Sequence, residues 1–227
     1  KVFSFFIVKP YQLARSGIIL MDNVFLPLAY IHVKKKVVVM QLWHGTGTIK
    51  RFGQDSNIGR LKELEKRANS NITHLIVNGK KTERLYAKAF AIDNKKVYPV
   101  GLPKTDDIIR RKQRTQNEGI NSDKTFIYKK YNISTDKKLI LYAPTFRDDN
   151  LSSEILLEHV EDIAKQLPRE YVLGIRLHPY VAGLAKKKAM ENVCDLSDDG
   201  DLSALIMASD ILITDYSSIV FEYCLMK

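Results

Sequence analysis

The sequence lacks an apolar run long enough to cross a membrane, and it contains little cysteine. A membrane-spanning helix needs about 18 consecutive apolar residues, whereas apolar runs such as residues 37–42 have the length of a strand. Cys194 and Cys224 have no cysteine or histidine partner at metal-ligand spacing, so we expect buried, reduced thiols. The N-terminus carries no signal-peptide pattern, and no acidic pair has the pattern of a metal site. These absences predict a cytoplasmic protein without a dedicated metal site.

Positive charge is concentrated in the first half of the chain. Lysine and arginine outnumber aspartate and glutamate by 22 to 8 in residues 1–112, but they are fewer, 14 to 18, in residues 113–227. The positive electrostatic potential of such a region attracts polyanions, which include nucleic acid, anionic lipid head groups and phosphate-rich polymers. Charge alone does not choose among these partners.

Short apolar runs alternate with amphipathic stretches, which is typical of βαβ units on parallel sheets. The polar stretch at residues 112–123 interrupts the alternation, so the sequence predicts two Rossmann-like domains, residues 1–112 and 113–227. The last helix has no closing strand after it, and we expect the second domain to be truncated. The strand-like runs are residues 2–8, 18–21, 37–42, 75–77, 97–100, 139–142, 171–177 and 211–214. The helical patterns are residues 58–68, 81–90, 152–167, 202–208 and a last helix from residue 217.

Residues suited to phosphate and proton chemistry follow four of these runs. Ligands of open parallel sheets bind beyond the carboxyl ends of the strands. The run at residues 37–42 leads to His44, and glycines at 45 and 47 let a ligand approach the backbone closely. Histidine suits general-base catalysis near neutral pH, so we predict a functional role for His44. The alternative is a hydrogen-bonded structural histidine.

Two further runs end in cations or titratable rings. The run at residues 139–142 leads to Arg147, whose planar guanidinium matches phosphate oxygens, with a surface salt bridge to Asp148 or Asp149 as the alternative. The run at residues 171–177 leads to Arg176 and His178, which strand alternation places on one face. The two groups are placed to neutralise a departing phosphate, unless they are exposed residues of an edge strand.

The last run, residues 211–214, leads through Asp215 into a helix that starts near Ser217 and Ser218. The free backbone N–H groups of a first helical turn, its dipole and two hydroxyls form a receptor for phosphate oxygens. A plain N-cap is the alternative. Glu222 stands about one turn further on, where a carboxylate accepts the hydroxyls of a ribose. Phosphate and ribose together indicate a nucleotide.

In order and spacing, these turns resemble those of the CDP-glycerol glycerophosphotransferases of Gram-positive wall teichoic acid synthesis, a family that includes CDP-ribitol-using members. The resemblance covers most of the chain. The matching stretches are QLWHGT at residues 41–46, APTFR at 143–147, RLHP at 176–179 and DILITDYSSIVFE at 210–222.

The resemblance implies a GT-B-like pair of Rossmann-type domains. It implies transfer of glycerol phosphate or ribitol phosphate from a CDP-alditol to a hydroxyl of a lipid-linked acceptor, with release of CMP. The implied catalytic residues are His44, as general base, and His178. The implied donor-binding residues are Thr145, Arg147, Arg176, Asp215, Ser217, Ser218 and Glu222, and those on the acceptor side are Gly45, Thr46 and Lys50. No tightly bound cofactor is implied, and the location is peripheral, on the cytoplasmic face of the cell membrane.

Two other functions are compatible with the sequence. One is a GT-B glycosyltransferase that uses a UDP- or CMP-sugar. The other is a non-enzymatic polyanion binder, but the basic residues are not interleaved with a series of aromatic residues, and no helix-turn-helix or OB-like pattern is present. We therefore expect an anionic membrane surface and a polyol phosphate as partners, and no nucleic acid. The choice between glycerol and ribitol, the oligomeric state and a divalent-ion requirement are left open.

Overall fold

The computed structural model describes residues 8–145, 150–177 and 192–227. The chain divides into two compact units, Lys1–Asp106 and Asp107–Lys227. Each unit contains one four-stranded sheet in which every paired strand is parallel to its neighbour. The predicted α/β class with two parallel sheets is confirmed.

The first unit has the strand order β1-β2-β3-β4, which follows the chain. Alternate residues of β2 are buried, whereas Ile18 and Leu20 on the edge strand β1 are exposed. Val39 on β2, Leu75 on β3 and Tyr86 on α3 are fully buried in one apolar cluster. The strands are β1 (Ile18–Met21), β2 (Val38–Gln41), β3 (His74–Ile76) and β4 (Val97–Tyr98). The helices are α1 (Lys9–Arg15), α2 (Gly59–Asn69), α3 (Glu83–Phe90) and α4 (Pro103–Glu118), the last of which continues into the second unit.

The second unit has the strand order β7-β6-β5-β8. Alternate residues of β5 point to opposite faces, and both faces are apolar. Leu139 and Leu141 belong to one core cluster, whereas Ile140 packs with Val160 and Leu173 in another. The strands are β5 (Lys138–Tyr142), β6 (Tyr171–Ile175), β7 (Val193–Asp195) and β8 (Ile211–Ile213). The other helices are α5 (Ser122–Lys130), α6 (Asn150–Gln166), α7 (Leu202–Ala208) and α8 (Ile219–Met226).

The strand-like runs from residue 18 onward form strands whose ends differ from the prediction by about two residues, which is the usual uncertainty of such boundaries. Apart from Val8, the run at residues 2–8 lies outside the described residues. Strand β7 was not predicted, because it has only three residues and the last of them is the charged Asp195. Within the described residues 8–145, 150–177 and 192–227, no helix is both long and apolar enough to span a bilayer.

The polar stretch at residues 112–123 is mostly helical, although its polarity suggested an interruption of the helix and strand pattern. Lysine, arginine and glutamine are good helix formers, so α4 extends to Glu118. The break between α4 and α5 is short: Gly119 has a left-handed φ of 66°, and the Asn121 side chain accepts the Lys124 N–H and caps α5. Hydrophobic periodicity is weak in this stretch, which is why the sequence did not indicate the helices.

Neither cysteine is disulfide-bonded, but Cys224 is exposed rather than buried. On α8, Ile219, Glu222 and Met226 face the interior, and Cys224 lies on the other side of the helix. Cys194 is half-buried, and burial raises the pKa of its thiol to about 11. The thiol of Cys194 is therefore protonated, and unreactive, at neutral pH.

Asp210, just before β8, joins three elements of the second unit. Its carboxylate accepts hydrogen bonds from Lys124 Nζ on α5 (2.8 and 3.1 Å) and from the Leu139 N–H on β5 (2.9 Å). Its backbone carbonyl accepts the Tyr223 hydroxyl of α8 at 2.8 Å. Burial opposes ionisation of Asp210, but these hydrogen bonds outweigh it, and the pKa of Asp210 lies below its usual value.

Replacing Asp210 with asparagine should destabilise the second unit by about 1–2 kcal/mol at neutral pH, because charged hydrogen bonds become neutral in a half-buried position. A depressed pKa adds stability above the unfolded-state pKa of about 3.9, and this stability is lost as the pH falls through the folded-state pKa. In urea denaturation, the difference in unfolding free energy between Asp210→Asn and wild type should therefore become smaller below about pH 4.

The matched control is Asp162→Asn, because Asp162 forms an exposed pair with Lys165 at 3.7 Å. We expect this change to alter stability by less than about 0.5 kcal/mol. Equal effects of the two substitutions would contradict the role assigned to Asp210.

Candidate active site

The strand order of the second unit reverses between β5 and β8. The chain proceeds from β5 to β6 and β7 in one direction and then returns to place β8 on the other side of β5. In open α/β sheets, ligands bind at such a reversal of strand order, beyond the carboxyl ends of the strands. Two predicted donor-binding turns, those after β5 and β8, therefore lie side by side.

Hydrogen bonds join these two turns directly. The Asp215 carboxylate accepts the Thr145 N–H at 2.8 Å, and the Thr214 hydroxyl donates to the Ala143 carbonyl at 2.7 Å. Burial opposes ionisation of Asp215, but hydrogen bonds from Thr145 and from the Tyr216 N–H outweigh it, so the pKa of Asp215 is lowered. Asp215 is thus ionised at neutral pH and holds the turn after β5 in place.

The start of α8 follows the joined turns. Among the described residues, the Ser218 side chain makes no capping hydrogen bond to α8, whereas the Ser217 hydroxyl accepts the Ile219 N–H at 3.4 Å. Both serines are half-buried. The plain N-cap alternative therefore does not account for the Ser218 hydroxyl, and the dipole of α8 favours negative charge at this end.

Behind the start of α8 lies a group of charged side chains. Glu222, in the first turn of α8, is 1% exposed, and Arg176 follows β6. Burial lowers the pKa of Arg176, while the negative charges of Asp199 and Glu222 act in the opposite direction. Within residues 8–145, 150–177 and 192–227, the buried Nε of Arg176 has no hydrogen-bond partner. Glu222 and Arg176 therefore lie within electrostatic reach of each other, and Glu222 is far more buried than an open ribose site suggests.

In the first unit, the turn after β2 carries His44. Its Nδ1 lies 2.6 Å from the carbonyl oxygen of Asp22, in the loop after β1. A carbonyl can only accept, so Nδ1 carries the proton and Nε2 has the free lone pair. The side chain is exposed. This is the tautomer that a general base requires, with the accepting nitrogen directed away from its structural partner.

The backbone around His44 has an unusual conformation. Trp43 has a φ of 55°, in the left-handed region, and its ring stacks on that of His44 at a centroid distance of 4.5 Å. A Cβ on residue 45 would lie 2.8 Å from the Trp43 indole nitrogen, so a side chain there would displace the Trp43 ring. The buried Gln41 side chain accepts the Trp43 N–H at 3.0 Å and donates to the Asn23 carbonyl at 3.1 Å. Such strain is typical of functional turns that the surrounding structure holds in place.

Tyr86 on α3 supports the same turn from below. Its hydroxyl lies 2.7 Å from the Gly45 carbonyl and 3.1 Å from that of Gly47. The side chain is fully buried, and burial raises the pKa of Tyr86 to about 12. The sequence showed Tyr86 only as an apolar position of a helix, because no local motif indicates which carbonyls its hydroxyl meets.

The structure thus brings together Thr145 with Asp215, and Arg176 with Glu222. It also fixes Gly45 and the buried Thr46 beside His44, while Lys50 is exposed on the same loop. Arg147 and His178 lie outside the described residues. Among the residues that the structure does describe, no group of three or more histidine, cysteine, aspartate or glutamate side chains is arranged to hold a metal ion.

The fold and the strand-end turns are those of an α/β protein built from two parallel-sheet units, with a reversal of strand order in the second. The chain belongs to the CDP-Glycerol:Poly(glycerophosphate) glycerophosphotransferase family, whose model matches residues 4–227. The family predicted from the four sequence stretches is confirmed.

Named relatives agree with this assignment. The chain is 33% identical over 223 residues to the teichoic acid glycerol-phosphate primase of Bacillus subtilis (strain 168), a match that covers 96% of this chain and 55% of the relative. It is 32% identical over 225 residues to the teichoic acid ribitol-phosphate primase of Bacillus spizizenii, covering 96% and 56%. The chain therefore spans about half the length of these curated relatives.

Solved structures show the same fold. A variant of the wall teichoic acid polymerase TagF superposes with a TM-score of 0.80 at 27% identity, covering 96% of this chain and 54% of that one. The UDP-GlcNAc 2-epimerase of Neisseria meningitidis superposes with a TM-score of 0.62 at 16% identity, covering 89% and 54%. At that identity the epimerase shows a shared fold only.

Proposed function

We propose that this protein transfers glycerol phosphate or ribitol phosphate from a CDP-alditol to a hydroxyl of a lipid-linked polyol phosphate acceptor, with release of CMP. The observation that carries the proposal is the pair of joined turns at the strand-order reversal of the second unit, in a chain of this family. The names of its relatives, which include glycerol-phosphate and ribitol-phosphate primases, support the same substrate class.

In this proposal the second unit binds the donor. The N–H groups and hydroxyls at the start of α8, from Ser217 and Ser218, bind the diphosphate together with Arg147. Thr145 lies beside them, held by Asp215. Arg176 adds positive charge behind the site, and Glu222 binds the ribose or orients Arg176.

The chemical step is an in-line displacement at the phosphorus that bears the alditol. The acceptor oxygen forms a bond to phosphorus as the bond from phosphorus to the CMP oxygen breaks. His44 Nε2 takes the proton of the acceptor hydroxyl. The start of α8, Arg147 and His178 stabilise the charge that develops on the leaving CMP. Gly45, Thr46 and Lys50 line the acceptor side of this reaction.

The proposal includes the GT-B-like arrangement of two domains, residues 1–112 and 113–227. It also includes a peripheral location on the inner face of the cell membrane. The excess of positive charge in residues 1–112 supports this location, because anionic lipids attract basic surfaces.

Calorimetric titration of the whole protein with CDP-glycerol, CDP-ribitol and UDP-N-acetylglucosamine tests the donor class. We expect one or both CDP-alditols to bind and the UDP-sugar to bind at least about tenfold more weakly. Release of CMP in the presence of a polyol phosphate acceptor should accompany binding. Preference for the UDP-sugar would instead indicate a glycosyltransferase, and binding of none of the three would contradict the proposal.

A further inference from the structure

A row of cations lies at the carboxyl edge of the first sheet. Lys50 and Arg51 belong to the loop after β2, and Lys80, Lys81 and Arg84 lie between the end of β3 and the first turn of α3. All five side chains are exposed. In the described parts of the chain, none of the five forms an ion pair or a side-chain hydrogen bond.

Strand order and side-chain contacts bring this row next to His44. Strands β2 and β3 are parallel neighbours, and neighbouring strands lie about 4.8 Å apart, so their carboxyl ends share one edge. Phe52, which follows Arg51, stacks on Trp43 at 5.1 Å. Tyr86, on the turn of α3 that follows Lys81, holds the Gly45 carbonyl. The two cationic segments therefore flank the turn that carries His44.

Other cations of the same unit have structural partners. Lys88 pairs with Asp55 at 2.9 Å, and Lys96 donates to the Ile72 carbonyl at 2.7 Å. The acidic groups near the row are Asp55, whose charge Lys88 balances, Asp22, after β1, and Glu83, in the first turn of α3. Five cations against two carboxylates leave this edge positively charged. The cations of the row are thus free to meet an external anion.

We propose that a cationic row binds successive phosphodiesters of the acceptor chain, next to the hydroxyl that His44 deprotonates. The row consists of Lys50, Arg51, Lys80, Lys81 and Arg84. This inference rests on the proposed function. Each phosphodiester carries one negative charge, and lysine and arginine are the side chains that bind phosphate oxygens. A row of such sites binds a chain more tightly than a single repeat, because the contacts are linked. A longer acceptor is therefore bound more tightly than a short one.

The test compares two triple variants of the whole protein. Lys80→Ala/Lys81→Ala/Arg84→Ala removes three cations from the row. Lys34→Ala/Lys35→Ala/Lys36→Ala removes three exposed lysines from the opposite, amino-terminal side of β2. The probe is a synthetic poly(glycerol phosphate) chain, labelled for fluorescence anisotropy. We expect the first variant to bind it about tenfold more weakly at low salt, with a flatter salt dependence, and the second to bind nearly as wild type does.

A charge-preserving variant, Lys80→Arg/Lys81→Arg/Arg84→Lys, should retain polymer binding and separates loss of charge from misfolding. Equal weakening by the two alanine triples would overturn the inference, since it would show a general field rather than a site. The inference would also be overturned if the Lys80/Lys81/Arg84 alanine variant lost binding to phosphatidylglycerol vesicles but kept its binding to the polymer. That result would show that the row contacts the membrane.

Titration with CDP-glycerol and CDP-ribitol on the same preparations separates this inference from the proposed function. If wild type binds neither donor, the proposed function fails. If wild type binds a donor but the cationic-row variant still binds the polymer like wild type, only the inference about the row fails.

Discussion

His44→Ala is expected to lower turnover with a CDP-alditol by about 10²–10⁴-fold, which is the usual contribution of a well-placed general base. Donor affinity should be nearly unchanged, because the proposed donor contacts belong to the second unit. The hydrogen bond from Nδ1 to the Asp22 carbonyl supports this expectation, since it leaves Nε2 as the proton acceptor. Steady-state kinetics and donor titration on the same variant measure the two quantities separately.

The matched control is His32→Ala, because His32 is an exposed histidine of the same unit on the loop before β2. It should leave both turnover and donor affinity unchanged. Equal losses of turnover and donor affinity in His44→Ala would refute the base assignment, and so would near-normal turnover.

Asp215→Ala is expected to raise the KM for the CDP-alditol by about 10–100-fold. The change removes the charged acceptor of the Thr145 N–H, and hydrogen bonds to charged groups contribute about 1.5–3 kcal/mol. Without this link, the turn after β5 loses its fixed position beside α8. Asp215→Asn keeps an oxygen acceptor but no charge, so its KM should lie between those of wild type and the alanine variant.

Asp136→Ala is the control for this experiment. Asp136 is an exposed carboxylate before β5, at the other end of the sheet, and the hydrogen bond from Ser134 lowers its pKa as well. Its loss should not change the KM for the donor. An unchanged KM in Asp215→Ala would show that Asp215 does not position the donor site.

Acidic pH offers a second measurement on Asp215. Because the pKa of Asp215 is lowered, the carboxylate and its link to Thr145 persist at neutral pH and weaken only below the usual range of aspartate, about pH 4. The wild-type KM should rise in that range, whereas the KM of Asp215→Ala should be insensitive to this titration.

Prediction from the sequence was most successful where a local residue pattern depends on burial. The apolar run of β5 predicted a strand because both its faces are covered, and the run of β6 formed a strand for the same reason, whereas Ile211 and Ile213 on β8 are exposed. The polar helices α4 and α5 were missed, since α4 has few apolar residues and the apolar residues of α5, Phe126, Ile127 and Tyr128, are consecutive rather than periodic. Such helices depend more on propensity and capping, which leave weak signals in a single sequence.

By itself, the sequence determined the two parallel-sheet α/β units, the turns that carry the candidate residues and the family. Only the tertiary structure decided which groups meet: Thr145 with Asp215, His44 with the carbonyl of Asp22, and Tyr86 with that of Gly45. The physical reason is that apolar periodicity depends on each residue's own burial, whereas a hydrogen bond across a sheet depends on which strands become neighbours. In the second unit, the reversal of strand order places the end of β5 beside the end of β8, so that Thr145 meets Asp215, 70 residues later in the chain.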